Sequence, residues 1–175
     1  RKSLESRIHN FIQFSRNYGP DCLSETLYDL LYWQRTFKTN LGFSVRFIGL
    51  NTAILSADND DRNKLLLDSE QLGKLIYPDA TEQSSLVVAL SHHPFYWLKD
   101  EENVCSWVQS NCHVHLYGHL HENDSMSLQT GGGSGIINLI AGSVHTDDGD
   151  RIKYGYTRAT IIADSSEEKI KLRTW

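Results

Sequence analysis

The chain has 175 residues, of which 39% are hydrophobic, and its formal net charge is −5. This length predicts a single domain with a sizeable core. The acidic balance and the scattered lysines and arginines do not favour nucleic acid as a partner, because nucleic-acid-binding domains carry a basic stripe. No apolar run is long enough for a membrane span, and no signal peptide is visible. The chain begins with Arg1 and not with Met, so we expect it to be a piece of a longer protein.

The cysteine pattern favours a reducing compartment. The cysteines are odd in number and widely spaced, and they form no C-x-x-C pair: Cys22, Cys105 and Cys112. Such a pattern argues against a disulfide scaffold. We therefore expect a cytoplasmic protein that has no membrane association.

The first part of the chain predicts helices. Apolar residues follow helical spacing up to Ile12, stop at the Gly-Pro-Asp sequence of residues 19–21, and resume at Leu23. Two helices are therefore predicted over residues 1–37. Their many aromatic side chains are interpreted as core or cap packing, and the alternative is a surface for a substrate or partner.

The remainder of the chain predicts strands mixed with helices, and then strands alone. The run at residues 131–135 is rich in glycine but lacks the Lys-Ser/Thr of a P-loop, so it is interpreted as a hairpin loop. The acidic residues 57–63 lack the spacing of an EF-hand and are interpreted as a solvated connection. Strands are predicted at residues 45–50, 86–90, 113–117, 136–141, 156–163 and 169–175, and helices at 68–76 and from 100 onward.

Two histidine-rich turns form the candidate functional site. Ser-His-His-Pro at residues 91–94 and Tyr-Gly-His-Leu-His at residues 117–121 each follow a short apolar run. A buried strand that ends in such a turn presents side chains at a sheet edge, which is where the sites of α/β sheets form. We expect Gly118 to let the backbone turn tightly without a Cβ clash, and Pro94 to fix the chain after His92 and His93.

These imidazoles predict a metal site. Residues two apart face the same way on an extended segment, so His119 and His121 can point into one cavity. Neutral imidazole suits Zn, Fe, Ni or Cu, and binds Mn more weakly. His92, His119 and His121 are the predicted ligands. His93 has two interpretations, as a hydrogen-bonding group that supports a ligand or as a substrate contact.

Three other histidines lie in or near predicted strands. His113 and His115 alternate with apolar residues, so we interpret them as strand-face residues, with ligation as the minor alternative. His145 follows Ala-Gly-Ser at another strand end and is a candidate substrate contact.

The two histidine motifs resemble the last two motifs of the calcineurin-like metallophosphoesterases. Leu-Val-Val-Ala-Leu-Ser-His-His-Pro at residues 86–94 is followed by Tyr-Gly-His-Leu-His at 117–121. Phe-Ile-Gly-Leu-Asn-Thr at 47–52 is similar to the strand that ends in Asp-Ser or Asp-Thr in that family. Gln71-Leu72-x-x-Leu75 resembles its helix motif, and Ala-Gly-Ser at 141–143 its small-residue strand end. The family's first three motifs, Asp-x-His, Gly-Asp-x-x-Asp and Gly-Asn-His-Asp/Glu, are absent from this sequence.

The resemblance implies an α/β fold that is part of a four-layer αββα sandwich, with mixed β-sheets flanked by helices. Residues 1–175 would be a single domain, the C-terminal part of a metallophosphoesterase domain. Within it, residues 1–44 would be a helical, cap-like segment and residues 45–175 the sandwich core.

The resemblance also implies a hydrolase that cleaves phosphomono- or phosphodiesters with two divalent metal ions, Mn, Fe or Zn, which activate a water for attack on phosphorus. His92 and His119 would bind one metal and His121 the other. The absent motifs would supply the carboxylate ligands and the general-acid histidine, so no catalytic residue is expected in this chain and the fragment alone is expected to be inactive. The alternatives are a degenerate phosphoesterase-fold module kept for binding or regulation, and a mononuclear three-histidine enzyme.

Overall fold

A computed structural model gives the fold. The structure describes residues 2–18, 32–40, 42–58, 60–67, 72–73, 75, 86–120, 124–129, 135–141, 158–164 and 169–174. A short 3-10 helix occupies Phe95–Trp97. The helices are α1 (Lys2–Tyr18) and α2 (Glu101–Asn111), and the strands are β1 (Tyr32–Lys38), β2 (Ser44–Leu50), β3 (Leu86–Ser91), β4 (Val114–Tyr117), β5 (Asp124–Gln129), β6 (Gly135–Ile140), β7 (Ala159–Asp164) and β8 (Lys169–Thr174). Neither described helix is long and apolar enough to cross a lipid bilayer.

The main sheet is mixed. Its six strands lie in the order β1-β2-β3-β4-β6-β5. The inner pairs β2–β3, β3–β4 and β4–β6 are parallel, and the edge strands β1 and β5 are antiparallel to their neighbours. The inner strands are rich in Val, Ile and Leu because parallel strands are covered on both faces. The predicted α/β fold with a mixed sheet is therefore confirmed.

Each face of the main sheet carries its own apolar core. On one face, Val104 and Val108 of α2 join the cluster that includes Ile48. On the other face, Val88 belongs to a second cluster, against which Ile161 of β7 packs. Strands β7 and β8 form a separate two-stranded antiparallel sheet. The main sheet thus has a helix on one face and a second sheet on the other.

The N-terminal prediction is partly wrong. Helix α1 confirms the first helix, but the end of the second predicted helix is the edge strand β1. Trp33 of β1 lies opposite Gly49 of β2, and a Cβ at position 49 would collide with the Trp33 indole. Trp33, which continued the helical spacing of the preceding leucines, therefore covers the neighbouring strand, a role that suits aromatic side chains in sheets. Residues 1–44 are consequently not a purely helical cap, and residues 19–31 lie outside the described residues.

The aromatic side chains of α1 do not pack as expected. Ile12 is buried, whereas Phe14 and Tyr18 are 59% and 77% exposed and contact each other, with ring centroids 4.7 Å apart. Phe11 is also exposed. Within the described residues, core packing is therefore the wrong interpretation for this face of α1.

The predictions for the rest of the chain agree better with the structure. The strands predicted at 45–50, 86–90 and 113–117 correspond to β2, β3 and β4. Those predicted at 136–141, 156–163 and 169–175 correspond to β6, β7 and β8. The helix predicted from residue 100 is α2. Strands β5 and β6 are antiparallel and flank the glycine-rich run, as a hairpin loop requires. Of the helix predicted at 68–76, residues 72, 73 and 75 are helical, and the others lie outside the described residues.

Candidate metal centre

The two histidine turns lie side by side because β3 and β4 are parallel neighbours. Ser91 and Tyr117, the last residues of these strands, are paired in the register. Immediately beyond them, the backbone N–H of Gly118 donates a hydrogen bond to the carbonyl oxygen of His92, at 3.1 Å. This bond joins the two turns and brings the side chains of His92 and His119 together. The carboxyl ends of parallel strands are the expected place for a site in such a sheet.

His92 and His119 have the separation expected of two ligands of one ion. Nε2 of His92 and Nδ1 of His119 are 3.2 Å apart, and their ring centroids are 5.1 Å apart. Two imidazole nitrogens that bind one tetrahedral zinc, at about 2.0–2.1 Å each, would lie about 3.3–3.4 Å apart. Without an ion, the same distance suits an N–H···N hydrogen bond. The separation is therefore compatible with a shared metal ion as well as with a direct hydrogen bond.

The tight turn before the second histidine depends on a different residue from the one predicted. His119 has a φ of 71°, in the left-handed region that residues with a side chain rarely adopt. A Cβ at Gly118 would contact nothing closer than the carbonyl oxygen of His92, at 3.9 Å. The expectation that Gly118 relieves a clash is therefore wrong, and the backbone strain lies at His119. Strain of this kind, about 1–3 kcal/mol, is concentrated at functional sites.

His93 is fixed on two sides. Its backbone N–H donates a hydrogen bond to Oγ1 of Thr52, at 3.0 Å, and its ring nitrogen Nδ1 lies 3.3 Å from the same oxygen. The imidazole stacks on the indole of Trp97, with centroids 5.5 Å apart and planes inclined by 26°. Only 2% of His93 is exposed. Its ring is therefore held in one orientation.

His93 also contacts both of the predicted ligands. Its ring centroid is 4.6 Å from that of His92 and 4.6 Å from that of His119. Burial, followed by the nearby His92 and His119, lowers the pKa of His93 from 6.5 to about 4, while the charge of Asp61 and a hydrogen bond with the Thr52 backbone oppose the shift. One nitrogen from each of the three imidazoles lies within 4.8 Å of the others, so these histidines could hold a metal ion.

Asp61 organises the loop that follows β2. Its Oδ2 accepts hydrogen bonds from the backbone N–H of Ala57, from the hydroxyl of Ser56 and from the backbone N–H of Asp58, at 2.6, 2.9 and 3.1 Å. These bonds, led by that from Ala57, hold the pKa of the Asp61 carboxyl below its usual value. The interpretation of residues 57–63 as a solvated connection is therefore wrong for Asp61, which is buried. The same loop begins with Thr52, so its fold helps to fix the contact with His93.

His115 lies in the core and outside the cluster of imidazoles. Its Nε2 is 2.9 Å from Oγ of Ser91, and its Nδ1 is 3.1 Å from Oδ1 of Asn138. Its ring stacks on Phe95, with centroids 4.0 Å apart and planes inclined by 8°. Burial lowers the pKa of His115 from 6.5 to about 4. The Ser91 hydroxyl donates to the carbonyl oxygen of His93. Ser91 therefore links His115 to the first histidine turn.

His113 has a structural role. It is exposed, and its Nδ1 accepts a hydrogen bond from the backbone N–H of Val87, at 3.0 Å. His113 and His115 are thus residues of the β4 segment, as predicted, and the three-imidazole group contains neither of them.

The structure brings together His92 and His119 but leaves part of the predicted site undescribed. His121 and His145 lie outside the described residues. The site gains Thr52, Asp61 and Trp97, for which no function was predicted. The Asn-Thr ending of the 47–52 strand was the only sequence signal near Thr52, and it carried no information about His93.

Comparisons with known proteins assign no family. No family profile matches the chain, and no curated protein matches it. The chain is similar to the solved structure of a hypothetical protein from Thermus thermophilus, with 13% sequence identity and a TM-score of 0.45. The match covers 83% of this chain and 61% of that protein, so the chain spans less than two thirds of its length.

Proposed function

We propose that the chain is part of a metal-dependent phosphoesterase that hydrolyses phosphomono- or phosphodiesters, with His92 and His119 as metal ligands. The observation that carries the proposal is the 3.2 Å separation of their ring nitrogens at the ends of two neighbouring parallel strands. The resemblance of both histidine turns to those of calcineurin-like metallophosphoesterases supports this reaction class. His121 is proposed as a ligand of a second metal, and His145 as a substrate contact.

The imidazole nitrogens of His92 and His119 suit the proposed metals, Mn, Fe or Zn. Neutral imidazoles bind Zn and Fe, and bind Mn more weakly. His92 is exposed and His119 is half-buried, so a phosphate ester in solution can reach the centre. A bound divalent ion would neutralise charge on the phosphoryl oxygens and lower the pKa of a water molecule. His92 and His119 would hold the ion, and the whole protein is proposed to supply carboxylates and a general acid from outside this sequence.

The proposal extends to the architecture. A sheet with α2 on one face and the β7–β8 sheet on the other supports three layers of an αββα sandwich. The fourth layer and the absent motifs would come from other parts of the protein. The proposed site would then lie where the two halves of the sandwich meet.

Metal binding gives the most direct test. The chain should bind Zn²⁺ in a calorimetric titration, and His119→Ala should weaken that binding by at least tenfold because one of the two facing nitrogens is lost. His9→Ala is the matched control, since His9 is exposed on α1. In the longer protein, His119→Ala should also abolish hydrolysis of a chromogenic phosphodiester. Unchanged metal affinity and hydrolysis in His119→Ala would refute the proposal.

A mononuclear three-histidine centre is the second candidate. It is favoured by the approach of the His93 ring to both His92 and His119. The two candidates differ in stoichiometry, because the mononuclear centre takes one metal per chain and the phosphoesterase centre takes two. Metal analysis of the longer protein separates them.

A further inference from the structure

A cavity of about 190 Å³ lies between α2 and the main sheet. One wall is a single face of α2, with residues at helical spacing, and the 3-10 helix and strands β4 and β6 line the rest. None of the three clustered imidazoles lines it, so the cavity is separate from the candidate metal centre. A cavity of about 150 Å³ can hold a benzene ring, so this one has room for one aromatic ring with a small substituent.

The walls of the cavity suit a flat apolar group. The ring of His115 stacks on that of Phe95, with centroids 4.0 Å apart, and on that of Tyr117, with centroids 4.9 Å apart. All three rings line the cavity, and Val108 of α2 and Ile136 of β6 add aliphatic surface. The faces of aromatic rings attract both other flat rings and organic cations.

The charge of the cavity is negative. Among the described residues that line it, Glu101 is the only acid and no lysine or arginine is present. Both nitrogens of His115 have partners, and burial lowers its pKa from 6.5 to about 4, so this ring is neutral at pH 7. Burial, followed by the charge of Glu101, raises the pKa of the Cys105 thiol, which also lines the cavity. The carboxylate of Glu101 therefore acts inside the cavity as well as at its rim.

This carboxylate is available to a ligand. Glu101 is exposed, and in the described part of the chain no basic side chain pairs with it. Glu101 and Glu102 both lie in the first turn of α2, where acidic residues favour the helix dipole. Only Glu101 of these two also lines the cavity, so its position adds a role that Glu102 does not share.

We propose that the cavity is a second binding site, for a small organic cation that carries an aromatic ring, such as an aromatic amidine. The ring of the ligand would lie against the aromatic wall, and its cationic group would pair with Glu101 at the rim. This site needs neither a metal ion nor a phosphate ester, so it is independent of the proposed phosphoesterase function.

Binding is tested with benzamidine and the ¹⁵N-labelled chain in a buffer that contains a chelator. Benzamidine joins one ring to a planar cation, and benzamide has nearly the same shape without the charge. Benzamidine should bind with a dissociation constant of about 1 mM or lower, and benzamide about five- to tenfold more weakly. The ¹H–¹⁵N shift changes should centre on the residues that line the cavity.

Substitutions on α2 test the two halves of the site. Glu101→Gln should weaken benzamidine binding about fivefold and leave benzamide binding unchanged, because it removes the charge alone. Glu102→Gln is the matched control and should bind benzamidine as wild type does. Cys105→Phe should fill part of the cavity and weaken the binding of both compounds at least tenfold, whereas Cys105→Ser keeps the volume and should not.

Cys105 provides a further measurement that requires no substitution. It is half-buried in the cavity wall, whereas Cys112 is buried in the core. Saturating benzamidine should therefore slow the alkylation of Cys105 by iodoacetamide several-fold, as measured by peptide mass spectrometry. This measurement still decides the proposal if Cys105→Phe does not fold.

The inference is overturned if wild-type chain does not bind benzamidine, or if the shift changes centre on the histidine turns and Cys105 stays unprotected. Equal affinities for benzamidine and benzamide, or equal effects of Glu101→Gln and Glu102→Gln, would also overturn it. Since every measurement is made without metal, neither result changes the test of the proposed function by zinc binding and hydrolysis.

Discussion

Mild acid is expected to destabilise the protein through His115. This imidazole is 2% exposed, and both of its nitrogens have partners, in Ser91 and Asn138. Protonation would place a positive charge in the core beside Phe95, with no carboxylate among its hydrogen-bonding partners. Burial accordingly lowers the pKa of His115 from 6.5 to about 4.

The size of the effect follows from this shift. Between pH 6.5 and pH 4 the unfolded chain takes up the proton and the folded chain does not, so the free energy of unfolding decreases as the pH falls through this range. Each unit of pKa difference corresponds to about 1.4 kcal/mol. The difference for His115 is then about 3 kcal/mol, a large share of the roughly 5–15 kcal/mol that stabilises a typical domain.

Urea unfolding followed by circular dichroism at several pH values between about 7 and 4.5 measures this dependence. His115→Gln should be less stable than wild type at neutral pH, because it loses the stacking on Phe95, but its stability should depend less on pH. His9→Gln is the matched control, since His9 is exposed on α1. If His115→Gln and wild type lose stability equally across this pH range, then His115 does not carry the linked proton.

Other substitutions test the remaining structural claims. Gly49→Ala should lower the free energy of unfolding by about 1–3 kcal/mol, because the new Cβ meets the Trp33 indole, and a stability equal to wild type would contradict this packing. His119→Gly and His119→Ala should both lose metal affinity, but the glycine variant should be about 1 kcal/mol more stable in urea because it relieves the positive φ. Asp61→Asn should lower the melting temperature at neutral pH, since a charged acceptor of three hydrogen bonds is lost, and the difference from wild type should shrink as acid protonates Asp61.

The parts of the structure that sequence patterns predicted are those that depend on local signals. The apolar runs before each histidine turn predicted strands β3 and β4, and the turn composition placed His92 and His119 at their ends. The edge strand β1 was missed because Trp33 continues the helical spacing of the leucines that precede it. Its assignment depends on Trp33 covering Gly49, a contact between neighbouring strands that no local pattern contains.

The contacts of the candidate metal centre with its surroundings were missed for a related reason. Thr52 and His93 are 41 residues apart, and the threonine occurs in an otherwise ordinary strand end. The acidic run that contains Asp61 has the composition of a solvated loop, and only the folded backbone directs three donors at one carboxylate oxygen. Residue types can predict which groups are capable of ligation. They cannot predict which groups the folded backbone brings into contact.

That distinction matters most at the three clustered imidazoles. Nε2 of His92 and Nδ1 of His119 face each other at 3.2 Å, so at most one hydrogen lies between them and at least one lone pair is available to a cation. The ring of His93 contacts both of these imidazoles and is held in place by Thr52 and Trp97. An ion bound by all three imidazoles would be the mononuclear centre, whereas an ion bound by His92 and His119 alone would belong to the proposed phosphoesterase site. The number of metal ions per chain separates these two cases.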